Sequence, residues 1–284
     1  PTIYCTDRDG YLLAKNLASG ETEWELQPSS DASDGVSVSP DGSTIYYSSG
    51  STVYALDATN GEQQWTYGAA GNVQRQEISV DGSVLFVATD NNAVEAINVG
   101  DGSQKWSYTE TGDARAMGYC ESAVVASGTS DVVHGIDPAD GSQLWTYSVS
   151  FRIDGLAVTP DGSRVVAGDG DGAVHGIDTS DQSELWTDSF GSTIGAGAAH
   201  PNGDLLYLGN GSGDVAGYDP ETGDRVQQHS VSGSVKSMDV LPDGSQLFVG
   251  TQGGDLESIS LAGEIPQWTA THSSRILSIG VVKP

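Results

Sequence analysis

One stretch of this sequence decides its fold: residues 53–67, which read VYALDATNGEQQWTY. The apolar, β-prone residues 53–56 predict a strand. Asp57 then predicts a turn, because its carboxylate can accept hydrogen bonds from the backbone N–H groups that follow it. The Asn-Gly pair at 60–61 readily adopts the left-handed conformations that complete such a turn. The second strand carries Trp65, whose indole is too large for a two-stranded hairpin to bury alone.

The chain repeats this pattern at a nearly constant interval. The tryptophan recurs at Trp24, Trp65, Trp106, Trp145, Trp186 and Trp268. Gln227 occupies the position at which the repeat predicts one more tryptophan. Counted with Gln227, the intervals between successive positions are 41, 41, 39, 41, 41 and 41 residues. A period near 40 residues with hairpin chemistry is typical of a β-propeller with one four-stranded blade per repeat. The sequence therefore predicts an all-β, seven-bladed β-propeller of four-stranded antiparallel blades.

Each repeat is predicted to contain four strands, A to D, and the second repeat shows them most clearly. Strand A covers 36–39, strand B 44–48, strand C 53–56 and strand D 63–67. The tripeptide Pro-Asp-Gly at 40–42 suits a tight turn between strands A and B. Strand A is predicted to lie innermost, because blades taper towards the axis. Small residues in the later A strands fit that position: Gly155, Ala157 and 195–199.

The N- and C-terminal segments together supply the four strands of one repeat. The first repeat has candidates for strands B, C and D at 2–6, 11–14 and 23–26, but none for strand A. Residues 276–282 look like a strand A with nothing after it. Pairing the two would close the ring and remove both open sheet edges. We therefore expect residues 1–284 to form a single propeller domain whose closing blade is shared between N- and C-terminal strands.

The composition is strongly acidic. Lys plus Arg is 11 and Asp plus Glu is 39, so that the formal net charge is -28. Such a surface disfavours nonspecific binding to nucleic acids or anionic membranes, and we expect neither a nucleic-acid partner nor direct membrane insertion. The sequence contains no run of 18 apolar residues. The charge predicts a highly hydrated surface, as in proteins from salt-loving organisms.

The ends and the cysteines bear on location and redox state. The chain begins at Pro1 rather than Met, so we expect a processed protein or an excised domain. Separately, we expect the protein to lie outside the cell or in the cell envelope. Cys5 and Cys120 fall three blades apart in the predicted ring, and no disulfide is expected. Cys5 aligns with core positions of other repeats, which predicts a buried free thiol.

Two sequence segments resemble those of a known family: ALDATNGEQQW at 55–65 and GIDPADGSQLW at 135–145. They resemble the tryptophan-docking repeat of PQQ-like β-propellers, and VSPDGS at 38–43 resembles strings of WD-type propellers. The family includes quinoprotein dehydrogenases, a lipoprotein scaffold of outer-membrane protein assembly and sensor domains of receptor kinases. The resemblance implies that the six tryptophans are structural and stack between blades. It does not by itself assign a function.

The resemblance also implies what an enzyme of the family would look like. Quinoprotein dehydrogenases are usually eight-bladed, hold Ca²⁺ beside the cofactor and often carry a disulfide of adjacent cysteines. This chain has seven repeats, its cysteines are far apart, and no cofactor ligand can be assigned to a residue. We therefore predict no catalytic residues and no cofactor.

Other candidate sites have structural explanations. The loops at 7–10 and 169–172 carry alternating carboxylates, as calcium loops do, but lack the later bidentate Glu. We expect solvated turns and no metal site. His134 and His175 occupy the same strand C position in consecutive repeats, where hydrogen-bonded packing is expected. No arrangement for nucleophilic catalysis can be argued.

The remaining candidate is a set of basic residues predicted to share one face of the propeller, in the D–A and B–C loops and the starts of the A strands. They are Arg8, Arg75, Arg115, Arg152, Lys236 and Arg275. Acidic residues are predicted beside them, namely Asp34, Glu77, Asp113 and Asp154. Ion pairing that neutralises the rim is one interpretation. The other is a site around the central channel for an acidic peptide, a glycan or a small anion.

The sequence thus predicts a non-catalytic binding or scaffold propeller, with a protein or glycan partner at one face. It is expected to be a monomeric module or a subunit of a larger assembly. Two alternatives stay open: a PQQ-dependent oxidoreductase of the quinoprotein type, and a structural component of a cell surface or virion.

Overall fold

The computed structural model describes residues 2–29, 35–109, 111–263 and 265–281. These residues form 28 β-strands, and none of them lies in a helix. The all-β class predicted from the repeat is confirmed.

The strands are short, as blades of a propeller require. The first fourteen are β1 (Thr2–Asp7), β2 (Leu12–Asn16), β3 (Thr22–Leu26), β4 (Gly35–Val38), β5 (Thr44–Ser49), β6 (Thr52–Asp57), β7 (Gln63–Gly68), β8 (Val73–Ile78), β9 (Val84–Thr89), β10 (Val94–Asn98), β11 (Gln104–Tyr108), β12 (Ala114–Cys120), β13 (Ala123–Gly128) and β14 (Val132–Ile136). The others are β15 (Gln143–Ser148), β16 (Ile153–Val158), β17 (Arg164–Asp169), β18 (Ala173–Asp178), β19 (Glu184–Ser189), β20 (Ile194–Ala199), β21 (Leu206–Asn210), β22 (Asp214–Tyr218), β23 (Arg225–Ser230), β24 (Val235–Val240), β25 (Gln246–Thr251), β26 (Asp255–Ser260), β27 (Ile265–Thr271) and β28 (Ile276–Gly280).

Seven antiparallel sheets of four strands form the blades, as predicted. Blade 1 has the order β28-β1-β2-β3, and blades 2 to 7 take the other strands in consecutive groups of four from β4 onwards. In each blade the strand at position A contacts the A strands of both neighbouring blades, so that the ring is closed around a central axis.

Blade 1 is closed by the two ends of the chain. Strand β28 pairs with β1 in antiparallel register, with Cys5 opposite Ile279 and Thr6 opposite Ser278. The predicted closure is confirmed, although the strand ends at Gly280 and residue 282 of the predicted range lies outside the described residues. Because β1 gains a partner on each side, neither end of the chain leaves an open edge at the axis.

The A–B turns have the chemistry that their sequence predicts. In blade 2, Asp41 Oδ1 accepts hydrogen bonds from the Ser39 and Ser43 hydroxyls at 2.6 and 2.8 Å, and from the Ser43 N–H at 3.0 Å. These bonds, led by that of Ser39, lower the pKa of Asp41 to about 2. Gly42 completes the turn at φ 72°. Blade 4 is shorter because only residues 121–122 separate β12 from β13.

The core is divided among the blade interfaces. Seven clusters of buried apolar side chains lie between consecutive blades, one at each of the seven interfaces. Cys5 is buried in the cluster between blades 7 and 1, and Cys120 in that between blades 4 and 5. Both thiols are free. The apolar core is thus distributed over the interfaces between blades, and the A strands surround the central axis.

Candidate functional site

Tryptophans of strand D reach across the blade interfaces. Trp65 Nε1 donates to the carbonyl oxygen of Val99 in the next blade at 2.8 Å. Its ring covers Gly102, where φ is 71° and a Cβ atom would lie 2.8 Å from the indole. The same bond runs from Trp106 to Pro138, from Trp186 to Pro220 and from Trp268 to Leu17, at 3.0, 2.9 and 2.9 Å. Trp24 and Trp145 pack in the interfaces of blades 1 and 2 and of blades 4 and 5.

Gln227 makes the equivalent bond without an indole. Its Nε2 donates to the Leu261 carbonyl oxygen at 3.2 Å. This carbonyl is equivalent to those that accept the tryptophan hydrogen bonds in other blades. The Tyr207 hydroxyl donates to Gln227 Oε1 at 2.7 Å and holds the amide in place. These seven side chains connect neighbouring blades, and their contribution to stability stays a prediction.

The shared strand C position of His134 and His175 also serves the blade interfaces. His134 is buried, and its Nδ1 lies 2.9 Å from the Tyr108 hydroxyl of the preceding blade. His175 Nδ1 lies 2.9 Å from Glu184 Oε2, which also accepts a hydrogen bond from Tyr147 of the preceding blade at 2.7 Å. The two histidines are thus part of hydrogen-bonded contacts between blades.

The acidic B–C loops use their first carboxylate internally. Asp7 Oδ1 accepts the N–H groups of Asp9 and Tyr11 at 3.0 and 2.9 Å. Asp169 Oδ1 accepts those of Asp171 and Ala173 at 2.9 and 2.8 Å. Among the described residues, no group of three or more His, Cys, Asp or Glu side chains is arranged to hold a metal ion.

The six basic residues occupy corresponding places in the ring. Arg75, Arg115 and Lys236 lie in A strands, Arg152 and Arg275 immediately before A strands, and Arg8 in the β1–β2 loop. We call this side of the propeller the D–A face, since it carries the loops from strand D to the next strand A. The backbone N–H of Arg8 donates to the Arg275 carbonyl at 3.0 Å, which brings these two segments together.

Two of the bases are paired with acids. Arg115 contacts Asp113 at 2.6 Å and approaches Asp154 at 4.0 Å. Arg152 contacts Asp154 at 2.9 Å. On this part of the rim the predicted ion pairing is present, while Asp34, a further predicted partner, lies outside the described residues.

Arg75 crosses the central channel. Its Nη2 donates to the Gly195 carbonyl at 3.2 Å and its Nη1 to the Gln74 carbonyl at 2.7 Å. Arg75 belongs to blade 3 and Gly195 to blade 6, so the guanidinium spans the ring. The narrow section that it shares with Lys236 and Met238 has about 60 Å³ of free volume.

Lys236 lies close both to this guanidinium and to that of Arg275. Burial and the charges of Arg275 and Arg75 lower the pKa of Lys236. Arg275 Nε is buried without a hydrogen-bond partner in the described part of the chain. Within the same residues, no carboxylate lies at salt-bridge distance from Lys236 or Arg275. We call Arg75, Lys236 and Arg275 the axial cation cluster.

A histidine in the loop before β28 is uncharged near neutral pH. His272, in the loop before β28, has its pKa lowered to about 4, mainly by burial and also by the charge of Lys15. The imidazole is therefore neutral above that pH.

The opposite end of the channel widens into a cavity of about 440 Å³ that we call the funnel. It opens on the A–B face, which carries the A–B and C–D turns. The sequence analysis identified the small residues of the A strands but did not predict a cavity there. Their side chains give no periodic signal of which end of the channel is wide.

Comparison with known proteins places these features in a family. A family model described as outer membrane protein assembly factor BamB matches residues 8–152 and 114–282. The chain belongs to this family of PQQ-like β-propellers. A chain of a solved structure described as the crystal structure of mitotic checkpoint complex is similar with a TM-score of 0.78 and 19% identity, over 87% of this chain and 80% of that chain. At that identity the similarity shows the propeller fold alone. A comparison with curated proteins found no match.

The residues of this PQQ-like propeller do not fit the quinone cofactor at either end of the channel. PQQ is a rigid tricyclic tricarboxylate, and Arg75 crosses the narrow section, whose 60 Å³ is too small for it. The funnel is larger, but no Lys or Arg occurs among the described residues that line it to meet three carboxylates. We therefore derive no reaction step through PQQ. The part of the chain that the structure describes also contains no helix with the length and apolarity that a membrane crossing needs.

Proposed function

We propose that this protein is a non-catalytic scaffold propeller that binds an anionic segment of a partner protein at its D–A face, through the axial cation cluster. The observation that carries the proposal is the position of Lys236 and Arg275. Lys236 lies near both Arg75 and Arg275, and neither Lys236 nor Arg275 has a salt-bridge partner among the described residues, in a chain of net charge -28.

Physical chemistry makes this arrangement unfavourable unless an anion is present. Burial in this mouth disfavours the charged form of Lys236, and the neighbouring charges of Arg275 and Arg75 disfavour it further. The pKa of Lys236 is therefore lowered, although the charge of Asp154 acts in the opposite direction. A carboxylate that enters the mouth would relieve the repulsion and gain charge-assisted hydrogen bonds, for which Arg275 Nε is available. The chain has 39 acidic and 11 basic residues, yet among the described residues no carboxylate lies at salt-bridge distance from Lys236 or Arg275.

The proposal places the protein in the cell envelope or outside the cell, and in a salt-loving organism. The BamB description of the family supports an envelope location, and the acidic composition supports adaptation to salt. A glycan with acidic groups is a second ligand with the same chemistry. The alternatives separate by simple assays: a redox-dye assay with added PQQ and Ca²⁺ detects an oxidoreductase, and light scattering detects the regular assembly of a structural surface component.

The test is a double variant, Lys236→Gln with Arg275→Gln, titrated with a labelled hexaglutamate peptide by fluorescence anisotropy. Arg75 is left unchanged because it bonds to Gly195 across the channel. The peptide should bind the native protein, and the double variant should bind it about tenfold more weakly at low salt, as expected when two charge contacts of about 0.7 kcal/mol each are lost. The difference should shrink as salt rises, because screening shortens the range of the charges.

The matched control is Lys105→Gln, which removes one exposed cation from strand β11, away from the axis. It should leave the affinity for hexaglutamate unchanged. Equal binding by the double variant and the native protein would contradict the proposal. So would a large loss of thermal stability in the double variant, because it would show that these bases serve as internal partners.

A further inference from the structure

The funnel is built by blades 3 to 7 on the face opposite the axial cation cluster. Inside the funnel, the A strands of blades 4, 5 and 6 carry Gly118, Ala157 and Ala198. Because these small residues lie in three consecutive blades, they leave a space of about 440 Å³, which falls in the range of natural ligand pockets. The cavity is therefore a consequence of three neighbouring blades that have no large residue at the same level.

The wall of the funnel is mainly apolar. Met117, Leu156 and Met238 form its floor near the axis, and each is largely buried. Methionine side chains adapt readily to the shape of a bound group. The apolar surface continues outwards over the rim, where Val80 is 57% exposed and Pro160 and Pro201 are also exposed. An apolar group that entered the funnel would thus remove a continuous surface from water.

Carboxylates stand at both ends of this apolar arc. Glu77 of blade 3 and Asp239 of blade 7 occupy the same strand A level as Gly118, Ala157 and Ala198, and flank them on either side. Glu121 lies on the rim. The described residues that line the funnel include no Lys or Arg, so that the charged side chains among them are all acidic.

We propose that the funnel is a second binding site, which takes one apolar side chain of a partner protein together with a neighbouring Lys or Arg of the same segment. The apolar side chain contacts Met117, Leu156 and Met238, and the cation lies against Glu77 or Asp239. The two ends of the channel then have opposite preferences: the D–A face takes an anionic group, and the A–B face takes an apolar group with a cation.

The shape of the surface favours a protein segment as the occupant. A small apolar cation would use the cavity but leave the exposed rim of Val80, Pro160 and Pro201 uncovered, whereas a peptide covers both. Charge complementarity sets the sign of the segment, because both the wall and the whole chain are acidic. A second copy of the chain is disfavoured, since two molecules of net charge -28 repel each other.

The experiment uses the whole protein and three short blocked peptides in isothermal titration calorimetry. The probe is Gly-Lys-Phe-Lys-Gly, with Gly-Glu-Phe-Glu-Gly to reverse the charge and Gly-Lys-Gly-Lys-Gly to remove the ring. The probe should bind, and each control peptide should bind about tenfold more weakly or not at all, because burial of the ring and pairing of the charges each contribute at least that factor. Equal affinity for all three peptides would overturn the proposal.

Two protein variants locate the binding. Ala198→Phe fills the funnel and should abolish binding of the probe, whereas Ala262→Phe makes the same change at an exposed turn residue and should not. Glu77→Gln with Asp239→Asn should weaken binding about tenfold at low salt. The control Glu25→Gln with Glu62→Gln removes two exposed acids elsewhere and should leave it unchanged. The charge variants test the proposal even if Ala198→Phe does not fold.

Two further outcomes would contradict the proposal. The first is unchanged affinity in Ala198→Phe or in the double charge variant. The second is self-association, since Phe151-Arg152 is an exposed apolar-basic pair of the chain itself. If light scattering shows oligomers that Phe151→Ser dissolves and Ala198→Phe also dissolves, the funnel is occupied by a second copy. The hexaglutamate titration at the other mouth should be unaffected by Ala198→Phe, so the two sites can fail separately.

Discussion

At the scale of the residue, single side chains of strand D form hydrogen bonds from one blade to the next. At four of the interfaces an indole N–H donates a hydrogen bond to a carbonyl that follows strand C of the next blade. At a fifth interface the side-chain amide of Gln227 donates to the equivalent carbonyl. The amide makes the hydrogen bond but contributes much less apolar area than an indole. The hydrogen bond is thus common to these interfaces, whereas the buried area differs.

We predict that Trp106→Ala lowers the free energy of unfolding by about 3–5 kcal/mol, because Trp106 is buried between blades 3 and 4 and leaves a large cavity. Gln227→Ala should cost only about 0.5–1.5 kcal/mol, the net value of a hydrogen bond. Chemical denaturation of both variants measures the difference. Trp106→Phe keeps a ring but loses the bond to Pro138, so it should fall between them. Equal losses for Trp106→Ala and Gln227→Ala would show that burial is not what the tryptophan supplies.

At the level of the element, strand β28 joins the C-terminal part of the chain to the N-terminal blade. Its five residues pair with β1, and its apolar residues Ile276 and Ile279 belong to the core between blades 7 and 1. All other blades are continuous in sequence, so this pairing is where the ring opens if it fails.

We predict that deleting residues 275–284 causes unfolding or aggregation, because β1 then presents an unpaired edge at the axis. Size-exclusion chromatography and far-UV circular dichroism measure this. A soluble monomer with an unchanged β-sheet spectrum would contradict the closure. The variant Ile279→Cys without the deletion is the matched positive test. Residue 279 lies opposite Cys5, so refolding under oxidising conditions should form a disulfide detectable by mass spectrometry.

On the scale of the whole molecule, charge is the dominant property. A net charge of -28 opposes compaction, since every acidic residue repels the others in the folded ring. The paired bases Arg115 and Arg152 and the axial cation cluster lie on the D–A face, while the funnel on the A–B face is acidic. The molecule is therefore polar along its axis as well as acidic overall.

We predict that the melting temperature rises as NaCl is increased from low concentration to about 1 M, where the screening length falls to about 3 Å. Differential scanning calorimetry measures the slope against salt. The variant Glu25→Gln with Glu62→Gln carries two fewer negative charges and should show a smaller slope. A melting temperature that is flat or falls with salt would show that self-repulsion does not limit stability.

The sequence by itself determined the architecture. Seven repeats, the four strands of each blade, the A–B turns and the closure by β28 all follow from local signals: alternating strands, Pro-Asp-Gly turns and a tryptophan repeated every 39 to 41 residues. The common strand order also predicted that the six basic residues share one face. Local signals suffice for these features because each blade repeats the same short hairpins.

Only the tertiary structure decided how the axis is filled. Arg75 bonds to Gly195, 120 positions away and three blades distant, and no repeat encodes such a contact. The funnel likewise depends on three small residues from different blades falling at one level, beside Glu77 and Asp239. These features arise where non-consecutive repeats meet around the axis. A periodic sequence specifies each blade and its neighbour, but side chains that meet across the ring are specified only once the ring is closed.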